Sequence, residues 1–216
     1  MKKQIASIFS LAALLCCAAA GCAAVPALEG KKVLVVYFSM PETAKTRNLS
    51  REEENSLIVV NGQALGNTQY AAQLIQKETG GDIFRLTPQR AYPTEHRTLV
   101  ALARREKDQN ARPPLASLPE KLDSYDVVFI GYPNWWADMP MVLYTFLESV
   151  NLQGKTIVPF VTHGGSGFSG SIGAIARLQP KARVLSGGYS VYRDDMEDCA
   201  EDVPAWLKKL NFNALY

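Results

Sequence analysis

The feature of this sequence that most constrains its fold is a set of short, unbroken apolar runs spaced along the chain. The clearest runs occupy residues 33–38, 126–130 and 156–161. A strand with one face in water alternates apolar and polar residues, and these runs do not alternate. They therefore predict strands that are buried on both faces, which is typical of a parallel sheet covered by helices.

Amphipathic segments separate the apolar runs and predict the covering helices. Helical patterns span 68–79, 95–107, 140–150, 172–178 and 196–210, and further strands are predicted at 83–86 and within 183–192. Gly80-Gly81 is a helix stop, and Gly187-Gly188 predicts a bulge or kink in the last strand. The alternation predicts a doubly wound α/β domain with a five-stranded parallel sheet and helices on both faces. Ligands of such sheets bind beyond the carboxyl ends of the strands.

One segment, at about 40–65, interrupts this alternation between the first strand and the first long helix. It begins polar and charged and continues into short apolar stretches on either side of Asn61-Gly62. An Asn-Gly step between apolar stretches is the strongest local signal for a β-hairpin. We therefore predict a surface insertion that ends in a hairpin.

The first residues have the pattern of an export signal. Two lysines precede an apolar run over 5–20, which is shorter than the roughly 20 residues that a membrane span needs. Ala19-Ala20-Gly21-Cys22 resembles a bacterial lipobox, and ordinary cleavage near Ala20 or Ala24 is the alternative. These features predict a signal peptide over 1–21, lipidation of Cys22, a linker over 22–30 and a domain over 31–212. The expected location is the bacterial cell envelope, with the lipid anchor in the membrane.

Charge and cysteine content limit the partners. Without residues 1–21 the chain has equal numbers of basic and acidic residues, which indicates neither nucleic acid nor a strongly charged partner. Cys199 is then the one cysteine besides Cys22, so no disulfide framework or cysteine metal cluster is expected. The acids over 194–202 are better explained as favourable charges at a helix start than as a metal site.

Three loops that follow predicted strands carry the candidate site. In the first, Ser39 and Gly66-Asn67-Thr68 place hydroxyls beside the amides of a helix start, an arrangement suited to phosphate. A simple turn with Thr68 as N-cap is equally consistent with this loop. In the second, Trp135 and Trp136 could enclose a planar ring; the alternative is that both pack under a helix in the core, and this alternative is favoured for one of them. The third loop, 162–170, is rich in glycine, so its backbone can approach a ligand closely; a flexible loop without a ligand is its alternative.

Four stretches together resemble the flavodoxin-like family of proteins that bind flavin mononucleotide (FMN). They read VLVVYFS, GNTQYAA, VVFIGYPNWW and PFVTHGGSGFSGS, and the resemblance spans about 32–210. In that family the loop after the first strand holds the FMN phosphate. Here Ser39 and Gly66-Asn67-Thr68 match the two ends of that loop, with the predicted insertion between them. The chain is therefore similar to the branch that carries a hairpin in the phosphate loop.

The resemblance implies FMN as cofactor, with loops 132–136 and 162–170 on either side of its isoalloxazine ring. Trp135 would stack on the ring and Trp136 would pack behind it. No side chain need act as catalytic acid or base, because the flavin performs the redox chemistry. The implied cofactor-binding residues are Ser39, Gly66, Asn67, Thr68, Pro133, Asn134, Trp135, Trp136, Thr162, His163, Gly164, Gly165, Gly167 and Phe168.

Three other functions are alternatives to this one. Residues 165–170 spell the dinucleotide motif G-x-G-x-x-G, but they follow the fourth strand and no acid ends the next strand. A serine hydrolase of the α/β type would need the nucleophile elbow G-x-S-x-G, and this sequence does not contain it around Ser166 or Ser169. A cofactor-free binding lipoprotein remains open, since the phosphate loop is split. The expected function is an FMN-binding electron-transfer protein or an FMN-dependent oxidoreductase of quinones or other small acceptors, and its redox partner is unknown.

Overall fold

The computed structural model describes residues 25–216, so the predicted signal peptide and Cys22 lie outside the described residues. In chain order the elements are β1 (Val33–Tyr37), α1 (Arg51–Ser56), β2 (Leu57–Val60), β3 (Gln63–Gly66), α2 (Asn67–Thr79), β4 (Asp82–Arg85), α3 (His96–Asp108), β5 (Val127–Pro133), α4 (Met141–Ser149), β6 (Thr156–His163), α5 (Ser171–Leu178), β7 (Arg183–Val184), β8 (Tyr189–Tyr192) and α6 (Cys199–Lys208).

The main sheet is parallel throughout, in the order β4-β1-β5-β6, and both β7 and β8 pair with the outer edge of β6. β7 and β8 are two pieces of the predicted fifth strand, interrupted near the predicted Gly187-Gly188 kink. Gly188 is required there, because a Cβ would lie 2.3 Å from the carbonyl oxygen of Pro159. The predicted doubly wound α/β fold is confirmed.

Alternate side chains of the central strands enter two separate cores, one on each face of the sheet. From β1, Leu34 and Val36 join a cluster with α3, α4 and α5, whereas Val33 and Val35 join a cluster with α2 and α6. Every residue of β1 is buried, as the unbroken apolar run predicts. Cys199 is a free, fully buried cysteine at the start of α6.

The predicted hairpin is present as β2 and β3, which pair antiparallel. Asn61 and Gly62 at its tip both have positive φ, at 50° and 76°, as a two-residue hairpin turn requires. Helix α1, which precedes the hairpin, was not predicted from the sequence. Ser50 and Glu53 form a capping box at its start, so the Ser-x-x-Glu spacing was the available signal.

Two terminal segments differ from expectation. Residues 25–30 belong to the expected linker, but Val25 and Leu28 are buried in the core beside α2 and α6, with a 3₁₀ turn over Pro26–Leu28. The helix expected over 196–210 begins as an α-helix only at Cys199; a 3₁₀ segment, Arg193–Asp198, precedes it and is kinked at Asp195, whose backbone angles are non-helical. Within residues 25–216 no helix has the length and hydropathy to cross a membrane.

Candidate functional site

An open cleft of about 250 Å³ lies at the carboxyl ends of β1, β5 and β6. The strand order reverses between β1 and β5, which is where doubly wound sheets bind ligands. Most of the predicted site residues line this cleft: Ser39, Asn67, Thr68, Pro133, Asn134, Trp135, Trp136, Thr162, His163 and Gly164. The structure does not place Gly66, Gly165, Gly167 or Phe168 among its lining residues.

The two ends of the split first loop meet in space. Gly66 lies so close to Ser39 that a Cβ on Gly66 would be 2.2 Å from the Ser39 hydroxyl oxygen. The chain between them, including α1 and the hairpin, therefore leaves the first loop and returns to it. Gly66 is absent from the lining but permits this close approach.

The start of α2 is open to an anion. Gly66 is its N-cap, and among the described residues no side chain caps this helix end, so Thr68 is not the N-cap that the alternative interpretation required. The Thr68 hydroxyl instead shares a buried hydrogen bond of 2.8 Å with the hydroxyl of Thr162. This bond connects the start of α2 to the end of β6. It leaves the first-turn amides, which carry the positive end of the helix dipole, for a ligand.

Two buried polar atoms beside the cleft have no hydrogen-bond partner among the described residues: Asn67 Oδ1 and Arg193 Nε. Asn67 is 5% exposed, and its Nδ2 donates to the backbone oxygen of Asn55 over 3.0 Å. Folded proteins rarely leave such atoms unsatisfied, since each costs about 1–3 kcal/mol. One unsatisfied acceptor and one unsatisfied donor thus belong to residues that line the same cleft.

The two tryptophans have different surroundings. Trp135 is half-buried and contacts Phe38 and Tyr92 edge to face, each with ring centroids 5.5 Å apart. Trp136 is 43% exposed. The expectation that Trp136 packs behind Trp135 is therefore wrong. A tight turn between Trp135 and Asp138 places Trp136 in the left-handed region, at φ 56°, and directs it outward onto α3.

On α3, the Trp136 ring is held by two contacts. Its indole N–H donates to the carbonyl oxygen of Val100 over 3.1 Å. The Arg104 guanidinium lies 5.1 Å from the ring centroid, which is a cation–π distance. Trp136 thus lines the cleft as a fixed and accessible aromatic ring.

The glycine-rich loop is attached to the loop after β5 through Asn134. The Asn134 side-chain amide donates to the carbonyl oxygen of Gly167 over 2.8 Å, and its backbone N–H donates to the carbonyl oxygen of Thr162 over 2.8 Å. Gly165 and Gly167 have positive φ, at 117° and 53°, so they shape the loop from outside the cleft. Phe168 packs against the core on the α5 face instead of entering the cleft.

His163 is a neutral group at the end of β6. Partial burial lowers its pKa, and the nearby Asp195 carboxylate opposes that shift. Its Nδ1 accepts the backbone N–H of Gly165 over 2.9 Å, which leaves Nε2 as the protonated nitrogen. His163 therefore offers a neutral donor to the cleft at pH 7.

Sequence reasoning missed several residues that line the cleft: Met40, Glu42, Asn55, Ser56, His96, Leu99, Val100, Ala103 and Arg193. The Glu42 carboxylate lies 2.9 Å from His96 Nδ1. Glu42, Asn55 and Ser56 belong to the interrupting segment at 40–65, and no local pattern in the sequence predicts where this segment lies relative to the cleft. Arg193 directly follows β8, so the rule that ligands bind at carboxyl ends of strands was the signal that could have found it.

The fold and the site define a class of doubly wound α/β protein. Its cleft lies at the switch point, where the strand order reverses between β1 and β5. Aromatic rings line one part of this switch-point cleft, and a helix start suited to an anion lines another. The comparisons with known proteins then identify the family. A family model described as flavodoxin matches residues 56–209, more than half of the chain. The chain therefore belongs to the flavodoxin family, and the match begins at the end of α1, after β1 and Ser39. No curated protein matches the chain at significant similarity.

Solved structures agree with this assignment. A candidate flavoprotein from Bacteroides eggerthii is 29% identical, with 83% of this chain and 97% of that chain covered and a TM-score of 0.55. Another from Bacteroides uniformis is 26% identical, with 83% and 99% covered and a TM-score of 0.58. A flavoprotein from Lactobacillus acidophilus, solved in complex with FMN, is 16% identical, with 78% and 97% covered and a TM-score of 0.54. At that identity the last likeness supports the fold alone.

Proposed function

We propose that this protein binds one FMN non-covalently in the switch-point cleft and serves as a redox flavoprotein. The observation that carries the proposal is the pair of orphaned buried atoms, Asn67 Oδ1 and Arg193 Nε, in a cleft that two tryptophans also line. FMN combines a flat ring, a ribityl chain with hydroxyls and a phosphate. The cleft has a counterpart for each part, so the residues present fit the group.

Each part of the cleft has a separate task in this proposal. Ser39, Thr68 and the uncapped start of α2 bind the phosphate. Trp136 and Trp135 border the ring, and the half-buried Trp135 also closes the cleft floor through Phe38. Asn134 holds the glycine-rich loop in position beside the ring. Bound FMN supplies one- or two-electron transfer, while the protein binds it, orients it and restricts water around it.

The absence of a strong charge supports a small electron acceptor, such as a quinone, over a highly basic protein partner. Residues 22–216 have equal numbers of acidic and basic side chains. Electrostatic steering of a charged protein needs a field of one sign, which a balanced surface does not provide. We therefore favour a flavin-dependent reductase over a general electron carrier.

The first test is a visible absorption spectrum of the purified protein after incubation with FMN and desalting. We expect a retained, shifted flavin spectrum with quenched fluorescence. Thr68→Val should reduce the retained flavin, because it removes the hydroxyl at the α2 start. Thr79→Val is the matched control at the other end of α2, where the hydroxyl bonds within its own helix. A folded wild-type protein that retains no flavin would refute the redox function and favour the cofactor-free binding protein.

We also propose that the protein is exported and anchored through lipidated Cys22. The support is the Lys2-Lys3 start, the apolar run and the lipobox-like Ala19-Ala20-Gly21-Cys22. Radiolabelled palmitate should be incorporated into the wild-type protein in a bacterial host. Cys22→Ser should abolish the label and release the protein from membranes, whereas Cys199→Ser should retain both. An unlabelled wild-type protein would contradict the anchor and leave the flavin proposal untouched.

A further inference from the structure

We propose that Arg193 binds the phosphate of FMN and compensates for the interruption of the phosphate loop by residues 40–65. This inference rests on the proposed function. It concerns a residue outside the first loop, since Arg193 directly follows β8. It also explains why the loop can be split without losing its anion site.

Arg193 is held at the cleft with an unsatisfied donor. It directly follows β8 and lies over Gly164, where a Cβ would be 3.0 Å from its Nη1. Its Nε is buried without a hydrogen-bond partner among the described residues. Asp194 Oδ1 lies 3.9 Å from that nitrogen, which is too long for a hydrogen bond. The Arg193 side chain as a whole is 34% exposed and lines the cleft, so its guanidinium can donate to an acceptor there.

The interrupting segment itself lies beside this part of the chain. Arg51 at the start of α1 lies 3.9 Å from Asp194, the neighbour of Arg193. From the other end of α1, Asn55 and Ser56 line the same cleft. The segment that separates Ser39 from Gly66 therefore contacts the end of β8 and brings the loop, α1 and Arg193 to one place.

Two positive groups at this place favour an anion, beside the carboxylates of Asp194 and Glu42. The guanidinium and the uncapped start of α2 are both positive and line one cleft, so each gains from a phosphate between them. Asn67 Oδ1 is an acceptor and would repel phosphate oxygens. It suits a hydroxyl of the adjoining ribityl chain instead. The two orphaned atoms thus correspond to two neighbouring parts of one flavin nucleotide.

The experiment compares FMN with riboflavin, which has the same ring and ribityl chain but no phosphate. Dissociation constants are measured by quenching of flavin fluorescence, for wild type, Arg193→Gln and Arg193→Lys. We expect wild type to prefer FMN, and Arg193→Gln to weaken FMN binding about 10- to 100-fold, as loss of a charged hydrogen bond implies. Riboflavin binding should change little, and Arg193→Lys should restore part of the FMN preference.

Arg90→Gln is the matched control, since Arg90 lines a separate cavity of about 630 Å³ beside Tyr92 and Glu106. It removes the same charge and should leave both constants unchanged. An unaltered FMN preference in Arg193→Gln, or equal weakening of both ligands, would overturn the inference while the proposed function stands. If folded wild-type protein bound neither flavin, the proposed function would fail and this inference with it.

Discussion

Trp135 and Trp136 are adjacent in the chain yet contact different parts of the protein. Trp135 contributes its ring to the aromatic group with Phe38 and Tyr92, so part of its surface stabilises the core. Trp136 contacts α3 and keeps 43% of its surface exposed beside the cleft. Replacing each tryptophan separately by alanine should therefore distinguish the residue that stabilises the core from the residue that binds the ligand.

We expect Trp136→Ala to weaken FMN binding about tenfold, because aromatic stacking on a planar base contributes roughly 1–3 kcal/mol. The free energy of unfolding of Trp136→Ala without ligand should fall by about 1 kcal/mol, since the variant loses one hydrogen bond and one cation–π contact at a partly exposed position. Trp135→Ala should lower that free energy by roughly 2 kcal/mol, since loss of a fully buried Trp costs about 3–5 kcal/mol. Fluorescence titration and urea unfolding measure the two quantities. The reverse pattern would restore Trp135 as the main stacking ring.

His163 should make the glycine-rich loop sensitive to acid. Its pKa is lowered in the folded protein, so its contribution to stability is complete above the unfolded value near 6.5 and is lost as pH falls through the folded value. Protonated Nδ1 can no longer accept the Gly165 N–H. NMR titration should show the Gly165 amide shifting together with the His163 ring below pH 6.5. The transition should vanish in His163→Gln, and its persistence there would assign it to another group.

The segment formed by α1, β2 and β3 is positioned by its two ends and by its capping box. Its ends meet where Ser39 contacts Gly66, and the hairpin leads directly from β3 into α2. The Ser50 hydroxyl accepts the N–H of Glu53, and the Glu53 carboxylate accepts the N–H of Ser50. A short helix of this kind needs such a cap, since its isolated stability is marginal.

Ser50→Ala should destabilise α1 locally. Loss of an N-cap hydroxyl costs about 1 kcal/mol, which corresponds to about fivefold faster hydrogen exchange if α1 opens by itself. Exchange of the amides of Glu54 and Asn55, followed by NMR, measures the effect, and amides of β1 should remain unchanged. Ser149→Ala is the control, since that hydroxyl donates within α4 and caps no helix start. Equal protection in wild type and Ser50→Ala would mean that tertiary contacts alone hold α1.

The cleft joins parts of the chain that are far apart in sequence: Ser39 after β1, Trp136 after β5, His163 at the end of β6 and Arg193 after β8. A ligand that contacts all of these segments binds the folded chain and has no equivalent site in the unfolded one. Its binding therefore adds directly to the stability of the whole domain.

FMN at one hundred times its dissociation constant should stabilise the protein by about 2.7 kcal/mol. For a domain of this size the unfolding midpoint should rise by roughly 5–10 °C, as differential scanning calorimetry measures. Adenosine monophosphate is the control ligand, because it carries a phosphate without a flavin. An equal rise with both ligands would indicate a general phosphate site in place of a flavin site.

Much of the architecture could be predicted because the signals are local. The unbroken apolar run over β1 predicts burial on both faces, and every residue of β1 is buried. Gly80 predicts the end of α2, and it adopts φ 64° there. The same holds for the hairpin at Asn61-Gly62 and for the three loops that line the cleft. The signals that were overlooked were short or isolated, such as the Ser50-x-x-Glu53 spacing and the single arginine after β8.

By itself, the sequence determined the parallel sheet, the order of strands and helices, and the loops that bear the ligand-binding residues, because period and turn chemistry are properties of neighbouring residues. Only the tertiary structure decided that Gly66 returns to Ser39, that Trp136 and not Trp135 is the exposed ring, and that Arg193 reaches the same cleft. Each of these depends on how distant segments pack, on a left-handed turn or on a close approach that only glycine allows. Such contacts arise from the folded arrangement of the whole chain, so no local pattern encodes them.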